Sequence, residues 1–241
     1  MTRSLFRTPG GREITAVTAA EMRAVDRVAV EDVGLKLLQM MENAGRILAW
    51  HVRDVRDDDQ PVVVVAGNGG NGGGGMACAR HLANRGVPVR LVLERPPDEL
   101  SGVAAEQYHV LDEMAVPTAS DPESLTGSED RPVVVDALIG YGLDGEVRPT
   151  ARDVIDSVNR QRGPIVSLDV PSGIEATTGK TLGAAVTPDR TVTLALPKTG
   201  LDEVTGTIYV ADISIPTTVY SRLDVEYEPP FGTVDWIRLD P

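Results

Sequence analysis

Two hydrophobic periods alternate along this chain. From Thr18 onward, Met22, Val25, Val28 and Ala29 recur at helical spacing behind a Thr18 to Glu21 capping box, and Gly34 ends that helix. A second helix is predicted over about 35–55, with Leu38, Met41, Ala44 and Leu48 facing inward. Asn43 lies beside that face, either solvated or reaching the glycine-rich stretch downstream. Asp57 to Asp59 break the pattern. Val62, Val63, Val64 and Val65 follow, too apolar for a half-exposed strand and suited to one buried on both faces. Further strands are predicted at VRLVL, PVVVDAL, PIVSLDV, TVTLAL and TIYVADI. Helices fall at about 102–114 and 150–162, and a polar linker runs through Glu129. Strand and helix in alternation predict an α/β protein with a mostly parallel sheet and helices on both faces. Residues 1–14 carry Gly and Pro and read as an arm, and 15–241 as one domain.

The first long strand runs straight into glycine. Between Gly67 and Gly75 stand seven glycines and two asparagines, Asn68 and Asn71, before a helix with Met76, Ala79, Leu82 and Ala83 at its spacing. Almost no Cβ keeps a ligand from this backbone, and a helix N-terminus presents unpaired N–H groups to an anion. Phosphate is the expected ligand. A GxGxxG match at Gly67, Gly69 and Gly72 carries little weight in so glycine-rich a run; the strand before and the helix after carry more. Glu94 stands where a dinucleotide-binding acid belongs, but Pro96 and Pro97 follow it at once. A P-loop is excluded by one residue, since five positions separate Gly173 from Gly179 where four are needed.

Charge narrows the partners. With 36 acidic and 23 basic side chains the net charge is -13, which repels nucleic acid and anionic membranes. The acid is spread along a chain with only three lysines, a surface suited to a salt-rich cytoplasm. The single cysteine, Cys78, excludes an internal disulfide and lies in an apolar helical stripe. There is no signal-peptide core at the N-terminus and no membrane-length apolar stretch, so a cytoplasmic protein is expected.

In a parallel sheet, ligands sit beyond the carboxyl ends of the strands. Asp136 closes one strand before ALIGYGLDGE and Asp169 closes another before VPSG, so both belong to the edge that carries the glycines. Either acid alone reads equally well as a cap; the two together favour function. Ser172 lacks a nucleophile elbow, and His51, His81 and His109 have no local partner, so a serine-histidine triad is poorly supported.

Four segments, MENAGR (41–46), GNGGNGGGGMACARHL (67–82), VDALIGYGLDG (135–145) and SLDVPSGIEATTG (167–179), resemble in order and spacing the NAD(P)H-hydrate epimerase family, or YjeF N-terminal domain. LPKTGL (196–201) is similar to that family's PK-G-L segment. The resemblance covers about 15–215. It implies a three-layer α/β/α Rossmann-like domain, usually a homodimer, that interconverts the R and S hydrates of NADH or NADPH. It assigns substrate contacts to Gly70, Asn71, Gly72, Gly73 and Gly74 and to Gly140, Tyr141, Gly142, Leu143, Asp144, Gly145 and Glu146. Asp169 is implied as the catalytic and substrate-binding acid, and Asn71, Asp136 and Ser172 as ligands of a potassium ion. The family loop usually reads NNGGD; here Gly70 replaces its first Asn and Gly74 its Asp. Many relatives carry a dehydratase domain that this chain is too short to hold, so a separate dehydratase is the expected partner. One carboxylate suits the chemistry, giving a proton to a hydroxyl beside the ring nitrogen and taking one back on return. A non-catalytic nucleotide-binding module on the same fold, or a conventional oxidoreductase, remains as an alternative.

Overall fold

Two short strands lie within the described part of the stretch read as an arm and its junction with the domain. In the computed structural model, which describes residues 5–125 and 131–240, β1 (Leu5–Arg7) pairs antiparallel with β2 (Glu13–Thr15). Phe6 and Ile14 are buried with Val170, Phe231 and Leu239, and the Arg7 backbone pairs with Asp240. Three-residue strands carry too little alternation to read, and their apolar partners lie far along the chain.

The capping box forms at α1 (Ala19–Arg27): the Glu21 N–H donates to Thr18 Oγ1 at 3.2 Å and the Thr18 N–H to Glu21 Oε2 at 2.7 Å. A π-helical turn over 28–32 then leads to Gly34, at φ +82°. α2 (Leu37–Val55) buries Met41, Ala44 and Leu48. Its Asn43 amide reaches the Ile213 carbonyl at 3.5 Å, so it serves neither expected role.

The central layer follows as β3 (Val62–Ala66), α3 (Gly70–Ala83), β4 (Val89–Leu93), α4 (Gly102–Glu113), β5 (Thr118–Ala119), β6 (Val133–Ala137), α5 (Pro149–Asn159), β7 (Ile165–Leu168), β8 (Arg190–Leu194), β9 (Thr207–Ala211), α6 (Thr217–Ser221) and β10 (Trp236–Leu239). The sheet has eight strands, ordered β10-β9-β8-β7-β6-β3-β4-β5, and all pairs are parallel except β10 with β9. The valine run explains the layers. Val62 and Val64 pack under α2, α3 and α4, while Val63 and Val65 meet Val154, Ile155 and Val158 of α5. This is a three-layer α/β/α sandwich. β5, β10 and α6 had no strong pattern of their own, and the Glu129 end of the expected linker lies outside the described residues.

The glycine stretch is a loop only over 67–69, because α3 begins at Gly70. Most of its glycines serve packing. A Cβ on Gly73 would stand 2.7 Å from Met41 Sδ, and one on Gly75 would stand 2.4 Å from the Ala137 Cβ. From α2, a Cβ on Gly45 would stand 2.5 Å from the Ala77 Cβ. Glycine lets α3 lie against both α2 and β6. The chain winds from β3 outward to β4 and β5, then returns to β6 and builds the other way. The loops after β3 and β6 therefore diverge and leave a crevice between them.

Candidate functional site

A cavity of about 480 Å³ occupies that crevice. Gly69, Gly70 and Asn71 from the start of α3, the 138–142 loop after β6, Asp169 after β7 and Lys198 after β8 all line it, with α1 and α2 closing the other side. Gly70, Asn71 and Gly72 form the first turn of α3, where N–H groups have no carbonyl four residues back. Asn71 Oδ1 and Asp169 Oδ2 each lie 3.1 Å from where a Gly140 Cβ would stand, so three separate loops meet at this glycine. Any side chain there would fill the junction.

Asp169 is held in the left-handed region, at φ +68°, and the Val170 N–H bonds back to the Leu168 carbonyl at 3.0 Å. Ala195 repeats the arrangement after β8, at φ +63°, with the Leu196 N–H on the Leu194 carbonyl at 2.7 Å. Such γ-turns are strained, and strain of this kind gathers where a side chain must be aimed. Here the turns direct Asp169 and Lys198 at each other. The buried Lys198 ammonium pairs with Asp169 Oδ1 and also donates to the Leu194 carbonyl at 2.9 Å. Asp169 further accepts the Tyr141 N–H at 3.0 Å and the Leu194 N–H at 3.3 Å. Both charges line the cavity. Lys198 was not assigned a role from sequence, although a lysine within LPKTGL, in a chain with only three lysines, was a usable signal.

A second pair faces the same space. The Tyr141 hydroxyl donates to Asp26 Oδ2, and burial pushes the Asp26 carboxyl above its ordinary range despite that bond and the nearby Lys198 charge. The Lys198 ammonium stands 5.6 Å from the centre of the Tyr141 ring. Asp26 follows inward-facing Val25 on α1 and was not singled out from the sequence.

The expected cation ligands divide. Asp136 is buried and accepts four hydrogen bonds: Ser167 Oγ at 2.8 Å, Ser172 N–H at 2.9 Å, Ser172 Oγ at 2.5 Å and Leu138 N–H at 3.3 Å. Burial raises its pKa, and these donors oppose that rise. Ser172 Oγ also accepts the Ile139 N–H at 2.8 Å. Neither residue lines the cavity, whereas Asn71 does, and its buried Nδ2 has no hydrogen-bond partner. Among the substrate-contact candidates, Gly70, Asn71, Gly74, Gly140, Tyr141, Gly142 and Asp169 line the cavity. Gly72 and Gly73 are packed inside α3's contacts. Leu143 packs towards α5, and Asp144, Gly145 and Glu146 are exposed on the outer turn, away from the lining.

Two of the three histidines find partners across the fold, and neither partner is Ser172. His81 Nε2 lies 2.8 Å from Glu42 Oε1, and His51 Nδ1 lies 3.1 Å from the Arg190 guanidinium. Burial and Arg190 depress the His51 pKa to about 3, so its ring stays neutral.

Fold and site together define a doubly wound α/β protein whose cavity, at the switch point of the sheet, joins a helix N-terminus to a buried ion pair. The chain belongs to the family described as YjeF-related protein N-terminus, whose model matches residues 37–200. It is 44% identical to the NAD(P)H-hydrate epimerase of Dehalogenimonas lykanthroporepellens over 97% of this chain and 96% of that protein. It is 40% identical to the bifunctional NAD(P)H-hydrate repair enzyme of Salinibacter ruber over 86% of this chain, and the match spans 42% of that longer protein. The crystal structure of yeast ynu0 superposes with a TM-score of 0.81 over 93% of this chain and all of that one, at 24% identity, which speaks to the fold.

Proposed function

We propose that this protein is an NAD(P)H-hydrate epimerase, an isomerase that interconverts the R and S hydrates of NADH and NADPH. The observation that carries the reading is the buried Asp169–Lys198 pair opening into a cavity beside the first turn of α3. The pyrophosphate of a hydrated dinucleotide suits the N–H groups of Gly70 and Asn71. The hydrated ring suits the space bounded by Asp169, Tyr141 and Lys198. In that ring the nitrogen lone pair expels the neighbouring hydroxyl as water, and water returns to the other face. Asp169 carries a proton to or from that oxygen. Lys198 and the two γ-turns hold its carboxylate in place, which is the positioning that makes one weak base effective.

The decisive measurement is the exchange rate between the two epimers against their spontaneous rate. Purified protein is expected to accelerate it for both NADH and NADPH hydrates. An unchanged rate with bound nucleotide would instead favour a non-catalytic binding module, which the glycine at position 74 in place of the family's acid would suit.

We further propose that a potassium ion binds near Asn71, Asp136 and Ser172. An amide oxygen, a carboxylate and a hydroxyl are hard donors that fit such an ion. When bound it would offset part of the pyrophosphate charge. Asp136 is unsuited to the test, because its loss would strip four hydrogen bonds from a buried network. Asn71→Ala is the informative change. At tenfold its Kd the ion adds about 1.4 kcal/mol, so potassium should raise Tm by a few degrees more than sodium at equal ionic strength. Asn71→Ala should remove the difference; equal melting curves for the unmodified protein would count against the site.

The same reading carries a homodimer, a cytoplasmic location and a dehydratase that consumes one of the epimers. The family resemblance supports the dimer and the dehydratase. Among the described residues no helix is long and apolar enough to cross a membrane.

A further inference from the structure

Epimerisation at one carbon requires oxygen to leave from one face and return to the other, so protons must be handled on both sides of the ring. Asp169 stands at the carboxyl end of β7, bonded by Lys198, Leu194 and Tyr141. Tyr141 links the two halves of the cavity. Its N–H donates to Asp169, while its hydroxyl reaches Asp26 on α1, so one residue joins a carboxylate on the sheet to a carboxylate on the helix. Phenol, both carboxylates and the Lys198 ammonium line one space. A tyrosine that served packing alone would need no carboxylate at its oxygen, and a half-buried acid drawn out of water is costly to keep without such a partner.

We propose that Tyr141 is a second catalytic group of this reaction, donating the proton that lets the hydroxyl leave, and that Asp26 is its positioning and proton-supplying partner. The inference rests on the epimerase reading. In the forward step the ring nitrogen's lone pair forms the N=C bond and the C–O bond breaks. The Tyr141 hydroxyl, turned from Asp26 Oδ2 towards the departing oxygen, gives its proton to the hydroxide to form water, and the Asp26 carboxyl, now the donor of the pair, passes its proton to the phenolate oxygen. Water then adds to the opposite face of the same carbon while Asp169 takes its proton. Solvent restores the starting state of the two carboxylates, and no oxidant or reductant is consumed. Burial raises the Asp26 pKa and so favours the carboxyl form this step needs. The groups around Asp26 are Arg23 on its own helix, Tyr141, Asp169, Lys198 and, from α6, Tyr220.

The test compares unmodified protein with Tyr141→Phe, Asp26→Asn and the double variant, using both epimers of hydrated NADH and following kcat and KM separately. Tyr141→Phe keeps the ring and its packing. It is expected to lower kcat at least about 100-fold, with KM within about threefold of the unmodified protein. Asp26→Asn should lower kcat too, and the double variant should be no slower than Tyr141→Phe, because the two act as one unit. Since Asp26 must be protonated, kcat of the unmodified protein should fall as pH rises through its raised pKa, and Asp26→Asn should lose that limb. A Tyr141→Phe protein with unchanged kcat, or one altered in KM alone, would overturn the inference while leaving the epimerase reading intact. Unmodified protein that fails to accelerate exchange would overturn both. Tyr141→Phe decides by itself if Asp26→Asn does not fold.

Discussion

Asp169→Asn is expected to stop epimerisation and to weaken the fold as well. Loss of a general acid or base costs about 100-fold to 10,000-fold in rate. The structural cost arises at Lys198, whose side chain is 1% exposed and whose counter-charge the asparagine cannot supply. Breaking a buried ion pair on one side typically costs about 3–5 kcal/mol. A second change separates the two effects. In Asp169→Asn with Lys198→Met no uncompensated charge remains, so most of the stability should return while activity should not. Denaturant unfolding and the epimer exchange assay, run on the same samples, measure both. Recovery of activity with stability would mean that Asp169 acts only as a structural counter-ion.

Gly72→Val is expected to abolish the folded protein, whereas Gly70→Ala, two residues earlier, should be tolerated. A Cβ on Gly72 would stand 1.8 Å from the Gly67 carbonyl oxygen, 2.6 Å from its carbon and 2.9 Å from its nitrogen, all of them backbone atoms. Backbone at the end of β3 cannot give way without disturbing the strand that all layers share. The cost should exceed about 4 kcal/mol, a range reached by few single changes. At Gly70 the nearest atom to an added Cβ is Met41 Cε at 3.6 Å, an ordinary contact. Removing a glycine's freedom from the unfolded chain there should leave stability equal or raise it by about 0.4–1 kcal/mol. Soluble yield and Tm would check both. A well-folded Gly72→Val would show that α3 and the 67–69 loop are not in close contact.

A run of glycines after a buried strand does mark the helix N-terminus that lines the cavity. Absence of side chains, however, has two physical uses, ligand approach and backbone packing, and composition cannot tell them apart. Gly70 opens to the cavity; Gly72, Gly73 and Gly75 meet Gly67, Met41 and Ala137.

By itself the sequence determined the layer order, because alternation of a four-valine strand with amphipathic helices can be buried only as a parallel sheet covered on both faces. It also determined which edge holds the cavity, since the Asp136 and Asp169 strand ends must point the same way as β3. Tertiary structure alone decided what those acids do. Asp136 turns inward to four donors, while Asp169 is turned by a left-handed residue onto a lysine 29 positions away. It also decided that Asp26 and Tyr141, 115 positions apart, are joined by a hydrogen bond at the same cavity, and that Phe6 packs beside Phe231. Such pairings depend on loop conformation and on distant contacts, which leave no periodic trace in the chain.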